Sequence, residues 1–380
     1  MYLFLLAIIY VAFISLGLPD ALLGSAWPNM HQYLNVPVSY AGIITIIIAA
    51  GTIVSSLKSD YLTRKYGTGL ITACSVAMTA CALFGFSISH SFLILCLFAI
   101  PYGLGAGAVD AGINNYVALH YKSSHMNWLH SFWGVGASIG PYIMAFSLIN
   151  LNSWNGGYRI VSIIQIILTC FLFITIPLWK KRQHINKEET EILSIREVLE
   201  IRGVSLILIT FFCCCAFEHT AGIWATTYLT NHYGMDANIA ASYGAYVYLG
   251  ITGGRFACGF FSNKVGYKHL VRGSLIVMFI GSIFINIQSV CLLGLIIVGV
   301  GVSPVFPAII HYTPINFEAK YSGAIIGIEM ASAYVGIIVA PAVFGFISDY
   351  LSMGIYPFYL GILVVLMIIF SERFNKIMSL

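Results

Sequence analysis

Twelve apolar runs, each long enough to cross a bilayer, follow one another along this chain with mostly short polar breaks between them. They fall at 2–32, 39–62, 68–89, 91–121, 127–150, 156–179, 203–231, 237–262, 267–287, 289–312, 321–349 and 353–372. A helical span needs about 20 apolar residues. In lipid, every backbone N–H and C=O must also find its partner inside the protein, which a helix does within its own segment. The runs therefore predict twelve transmembrane helices, and 380 residues leave almost nothing over for an extramembrane domain. Charge agrees with hydropathy: only 8% of residues are Asp, Glu, Lys or Arg, about a third of the usual share in soluble domains. Soluble enzymes, nucleic-acid binders and secreted disulfide scaffolds are excluded on that ground. The nine cysteines sit inside apolar runs with no His at metal-ligand spacing, and read as small apolar filler. The opening run lacks a basic flank and a small-residue cleavage site, so it is read as a first span, not a removed leader.

The one long polar stretch, KKRQHINKEETEILSIREVLEIR at 180–202, divides the runs into two sets of six. The expected organisation is a six-helix bundle over 1–179, a linker over 180–202 and a second six-helix bundle over 203–380. The ILSIREVLEI portion of the linker has the apolar spacing of a short amphipathic helix lying on the membrane surface. Sixteen of the 18 basic residues flank the runs on one side, the exceptions being Arg159 and Arg255. By the positive-inside rule that side is the cytoplasm, which places both termini and the central linker there, in the cytoplasmic (inner) membrane of the cell. The formal charge of +4 is thus a topology signal and not a nucleic-acid footprint.

The two sets of six also repeat. Gly136 and Pro141 recur as Gly336 and Pro341, 200 positions on; Gly67 recurs as Gly266 at 199, and the acidic Asp20 of span 1 recurs as Glu218 of span 7 at 198. A nearly constant offset with the same order of spans argues for parallel repeats related about the membrane normal, an architecture of transporters that rock two halves around a central site. Further residues carry a family resemblance. Gly259-Phe-Phe-Ser-Asn263-Lys264-Val-Gly266-Tyr-Lys268 resembles the loop motif of the major facilitator superfamily, with Asn263 where that family usually has Asp. Its first-half copy keeps only Arg64, Lys65 and Gly67, and Asp60 stands at the leading glycine. Gly136-Ala-Ser-Ile-Gly140-Pro141 resembles the family's span-5 glycine-proline motif. Within the superfamily, Gly17-Leu-Pro-Asp20 and Asp110 in GAGAVDAGINN resemble the fucose–galactose–glucose:proton symporter group. That likeness implies one acidic residue in span 1 and another in span 4, serving sugar recognition and proton coupling.

Charge inside the membrane gives candidate residues independently of the family. A charged side chain at the bilayer centre costs about 3 kcal/mol on insertion scales, so each one needs a reason. At about 1.5 Å per residue, Asp20 lies roughly 16 Å inside the boundary at His31 and Asp110 roughly 18 Å inside that at Lys122. Both positions are near the midplane, where transporter substrate sites lie. A desolvated carboxyl can hold a proton and release it when water or a cation arrives; the competing reading is a carboxyl permanently bonded to a neighbouring helix. Glu218 is the third candidate for proton coupling, against a helix-packing role. Candidate substrate contacts are Asp20, Asp110, Asn114, Asn115, Trp27, Trp224 and Tyr228. Trp224 and Tyr228 share a helix face and could stack on a sugar ring or simply pack; Asn114 and Asn115 could bind hydroxyls or bond between helices; Trp27 could roof the site or anchor the interface. Arg255 lies nine residues before Lys264 and Glu329 nine after Lys320, matched in depth and opposite in charge. They are expected to form a structural or gating ion pair. His130, at the start of span 5, reads as a pH sensor, a gate or a satisfied interfacial histidine.

The reading that results is an all-α membrane protein of the major facilitator fold. It is expected to be a secondary active transporter of a small polar solute, a hexose-like sugar, by proton-coupled symport with alternating access. The alternative is a proton-antiport exporter of drugs or metabolites. No Walker loop points to ATP, and no nucleophile–base spacing or metal cluster points to an enzyme. The expected partners are a small-molecule substrate, protons and the bilayer, with no cofactor, metal or nucleic acid, acting as a monomer.

Overall fold

The computed structural model describes residues 2–37, 40–183 and 193–378, and among these every regular element is helical. Among the described residues, eleven helices or helix pairs are long and apolar enough to cross a membrane. The twelfth expected span, span 8, is present as Ala237–Gly244 followed by Tyr246–Val265; Arg255 and Lys264 dilute its apolar character. Spans 2 to 6 are the helices Tyr40–Tyr66, Thr68–Ser87, Phe92–His120, Ser123–Asn150 and Trp154–Gln183; spans 7, 9 and 11 are Val204–Tyr233, Tyr267–Ile285 and Ser322–Tyr350. Span 12 is Tyr356–Met378. Residues 184–192 of the expected linker lie outside the described residues. Of the rest, 180–183 continue the span 6 helix, and the amphipathic stretch forms a helix over Ile195–Glu200, shorter than expected. Its start is closed by a capping box between Ser194 and Glu197, and the Ser194 N–H and hydroxyl hold the Glu197 carboxyl below its usual range.

Spans 1 and 10 are each built of two helices, and proline stands at both breaks. Span 1 is Tyr2–Asp20 followed by Leu22–Tyr33, with Pro19 just before the break. Proline has no N–H, so the carbonyl four residues back loses its helical donor. That carbonyl, on Ser15, receives the side-chain amide of Gln165 from span 6 at 2.6 Å, and Gln165 in turn accepts from Thr79 of span 3 at 2.9 Å. Span 10 is Cys291–Val302 followed by Val305–Asn316. There Pro304 orphans the Val300 carbonyl, which the Ser303 hydroxyl takes at 2.8 Å. Pro307 orphans the Ser303 carbonyl, which receives Arg255 Nε at 3.4 Å.

The chain divides into two compact units, Met1–Tyr116 with Leu129–Leu193, and Val117–Trp128 with Ser194–Leu380. The division is close to the expected bundles, except that the turn between spans 4 and 5 groups with the second unit. There Ser124 N–H donates to Asn263 at 3.0 Å.

Each unit packs its spans by the same close approaches. In the first, a Cβ on Gly136 of span 5 would overlap the Ile14 carbonyl of span 1; in the second, a Cβ on Gly336 of span 11 would overlap the Phe212 carbonyl of span 7. Gly103 of span 4 meets the Ile48 carbonyl of span 2, and Gly299 of span 10 meets the Val247 carbonyl of span 8 in the same way. The offsets between these pairs, 196 to 200 positions, match those read between Asp20 and Glu218 or Gly136 and Gly336. Small residues allow helices to approach closely where lipid offers no hydrophobic drive. The space they leave lets span 2 donate hydroxyls into span 4: Thr52 to Gly103, Ser56 to Gly107 and Ser59 to Ala108, at 3.1 to 3.2 Å.

Candidate functional site

The break in span 1 sets Asp20 where the helix is interrupted, and two other spans of the first unit reach its carboxylate. Trp133 of span 5 donates its indole N–H to Oδ2 at 2.9 Å, and Tyr102 of span 4 donates its hydroxyl to Oδ1 at 3.1 Å. Asp20 nevertheless remains exposed. It combines fixed geometry with access, as an exchangeable group requires.

Asp110, two helical turns beyond Tyr102, is half-buried. Its neighbour Asn114 is fully enclosed, at 0% exposure. Asn114 Nδ2 donates to both the main-chain oxygen and Oδ1 of Asp110, at 3.0 and 2.8 Å. Its Oδ1 faces Nε2 of His130 at 3.1 Å. His130, 6% exposed, lies edge-on to Phe13 with ring centroids 5.5 Å apart. His130 and Trp133 are one turn apart on span 5. That span therefore reaches both acids, Asp20 through Trp133 and Asp110 through Asn114. Asn115, half-buried, projects about 100° away from Asn114.

In the second unit the expected ion pair is rearranged. Arg255 Nη2 donates to both oxygens of Glu218 at 2.9 Å, and Glu329 instead accepts the Thr313 hydroxyl at 2.9 and 3.1 Å with 0% exposure. The expectation of an Arg255–Glu329 pair is corrected: span 7 presents Glu218 to Arg255 of span 8, while Glu329 faces Thr313 of span 10. Glu218 thus carries the counter-charge of Arg255, unlike its repeat partner Asp20, whose two ligands are uncharged.

The aromatic candidates are also committed elsewhere. Tyr228, 0% exposed, donates to the Ile285 carbonyl at 3.2 Å and lies against Tyr356 at 5.0 Å. Trp224 gives its N–H to the Pro341 carbonyl at 3.0 Å and sets its ring against Phe344. Trp27, 6% exposed, belongs to an apolar cluster with Leu22, Met30, Trp154 and Tyr158. For Tyr228 and Trp27 the stacking and roofing expectations give way to packing, because their faces are covered by neighbouring side chains. Tyr102 and Trp133, the ligands of Asp20, were not assigned from sequence. The available signal was that Tyr102 shares a helix face with Asp110 and Trp133 lies one turn after His130. Among the described residues, no group of three or more His, Cys, Asp or Glu is placed to hold a metal ion.

Two repeated helical units with carboxyl groups set in mid-span define a multi-pass secondary transporter. The Major Facilitator Superfamily pattern matches residues 8–341, and the chain belongs to that family, one of transporters and not of enzymes. It is 21% identical over 343 residues to the glucose/mannose transporter GlcP of Bacillus subtilis, covering 86% of this chain and 84% of that one. It is 24% identical over 356 residues to the quinolone resistance protein NorA of Staphylococcus aureus, covering 90% and 88%. Among solved structures, the E. coli fucose:proton symporter FucP superposes with a TM-score of 0.81 at 18% identity, over 98% of this chain and 99% of that one. The proton:xylose symporter XylE superposes with a TM-score of 0.71 at 14% identity, over 97% and 94%.

Proposed function

We propose that the protein takes up a small polar solute of the hexose type together with protons, as a monomer in the cytoplasmic membrane with both termini inside. The observation that carries the reading is the environment of Asp20: a carboxylate at a helix break, accessible, and held by two neutral donors with no cation beside it among the described residues. Such a group can exchange a proton when a sugar hydroxyl or water competes for Tyr102 and Trp133. Asp110 is the second coupling carboxyl, with the half-buried Asn115 next to it for hydroxyl recognition; the enclosed Asn114 spends its groups on Asp110 and His130. Likeness to GlcP, FucP and XylE supports the sugar class. Likeness to NorA favours a second reading, proton-driven export of an organic compound through the same carboxylates. Glu218 drops out of the coupling role in this proposal, since its charge is balanced by Arg255.

Proteoliposomes carrying an internal pH dye separate the two readings. D-Glucose, D-mannose or L-fucose added outside should acidify the lumen under symport, and Asp20→Asn and Asp110→Asn should abolish the change. An alkaline change with quinolones and none with sugars would replace symport by antiport. Silence with the whole sugar panel would end the sugar assignment.

A further inference from the structure

His130 has no part in the coupling scheme above, yet it is buried within the first unit and joined through Asn114 to one of its acids. Asn114 directs its amide N–H groups at two oxygens of Asp110, which leaves only its carbonyl oxygen for His130. A carbonyl oxygen accepts, so the His130 Nε2 in contact with it must carry the hydrogen. Neutral His130 is then the Nε2–H tautomer, and Nδ1 is where a proton is gained or lost. Gain of that proton leaves the Nε2–H bond to Asn114 in place, so the amide stays aligned between imidazole and carboxylate in both states. The titratable groups that neighbouring elements bring toward this corner of span 5 include, among the described residues, Asp110 and Tyr102 from span 4 and Asp20 and Tyr10 from span 1; Tyr10 stacks on Phe132 at 4.7 Å.

We propose that His130 is a positioning residue for proton coupling, linked to Asp110 through the Asn114 amide, and that its charge sets when Asp110 exchanges its proton. The inference rests on the reading of Asp110 as a coupling carboxyl. It gives the first unit a three-membered chain, Asp110–Asn114–His130, in which the amide transmits polarisation and carries no proton itself, since moving one through it would need the unfavourable imidic acid form.

The test is histidine 15N NMR of the full chain in lipid nanodiscs, with the His130 signal identified by its loss in His130→Gln. The expected neutral form is the Nε2–H tautomer. Its titration midpoint should move by half a pH unit or more in Asp110→Asn, and the move should shrink to less than half of that in an Asn114→Ala background. An Nδ1–H tautomer, a signal that does not titrate, or equal midpoints in wild type and Asp110→Asn would each overturn the proposal. If Asp110→Asn does not fold, Asn114→Ala against wild type supplies the comparison. In the transport arm, the pH profile of D-glucose uptake should shift by half a unit or more in His130→Gln, and an unchanged profile would overturn the proposal. Absence of D-glucose uptake by the wild type would count against the sugar reading alone, because the NMR arm does not depend on the substrate.

Discussion

Arg255 pairs with Glu218 across spans 7 and 8 because a guanidinium in the membrane needs a counter-charge and a further acceptor, and spans 7 and 10 supply them. Glu218 takes Nη2 at 2.9 Å, and the proline-orphaned Ser303 carbonyl takes Nε. Removing one partner of a buried pair leaves the other uncompensated, at a cost of about 3 kcal/mol, while removing both is much milder. Arg255→Ala and Glu218→Ala should each lower thermal stability in detergent substantially, and the double variant should be more stable than the sum of the singles predicts. Arg255→Ala with Glu329→Ala should be additive, and non-additivity there would restore the pair expected from depth alone. At Asp20, the Trp133 bond is charge-assisted and contributes about 1.5–3 kcal/mol, so Trp133→Phe should weaken solute uptake about tenfold or more. An unaffected uptake rate would detach Trp133 from the site. Depth along a span was legible in the sequence, from the distance to flanking basic residues. The direction a side chain takes around the helix was not, since it is set by which neighbouring span packs there.

At the level of elements, spans 1 and 10 are interrupted beside prolines, and the carbonyls opposite Pro19, Pro304 and Pro307 are each taken by a side chain. The Ser15 carbonyl opposite Pro19 takes Gln165, and the Val300 carbonyl opposite Pro304 takes the Ser303 hydroxyl. An unsatisfied buried acceptor costs about 1–3 kcal/mol. Gln165→Leu should therefore destabilise the first unit by that amount, measured by thermal unfolding in detergent. Pro19→Ala, which returns an N–H to the helix opposite Ser15, should recover most of the loss when combined with Gln165→Leu. A double variant no more stable than Gln165→Leu alone would show that Gln165 acts through other contacts, Thr79 among them. Gln165 lies 150 positions from the carbonyl it satisfies. A single polar residue in an apolar run signals that some partner exists without saying which.

Across the whole chain, what repeats is the scaffold and what differs is the charge placed on it. The close approaches at Gly136 and Gly336, and again at Gly103 and Gly299, fall at matching positions of the two units; the duplication read from Gly136, Pro141 and Asp20 was therefore a duplication of packing. The matched acids did not keep one environment. Asp20 faces neutral donors, whereas Glu218 faces a guanidinium, a difference no offset between the halves could reveal. Packing is inherited through small residues whose loss is penalised everywhere, and charge is free to diverge wherever one new partner can balance it. The scaffold argument predicts equal sensitivity: Gly136→Val and Gly336→Val, each forcing a branched side chain onto a backbone carbonyl, should both reduce the yield of folded protein several-fold in fluorescence-detected size exclusion. The orientation argument predicts that green fluorescent protein fused after Leu380 fluoresces, and that alkaline phosphatase is active when fused in the turn after Tyr33 and inactive when fused after Tyr66. The opposite pattern would reverse the side assigned to sixteen basic residues. It would leave the fold standing, because helix number and packing come from apolar length and small residues, while orientation comes from charge alone.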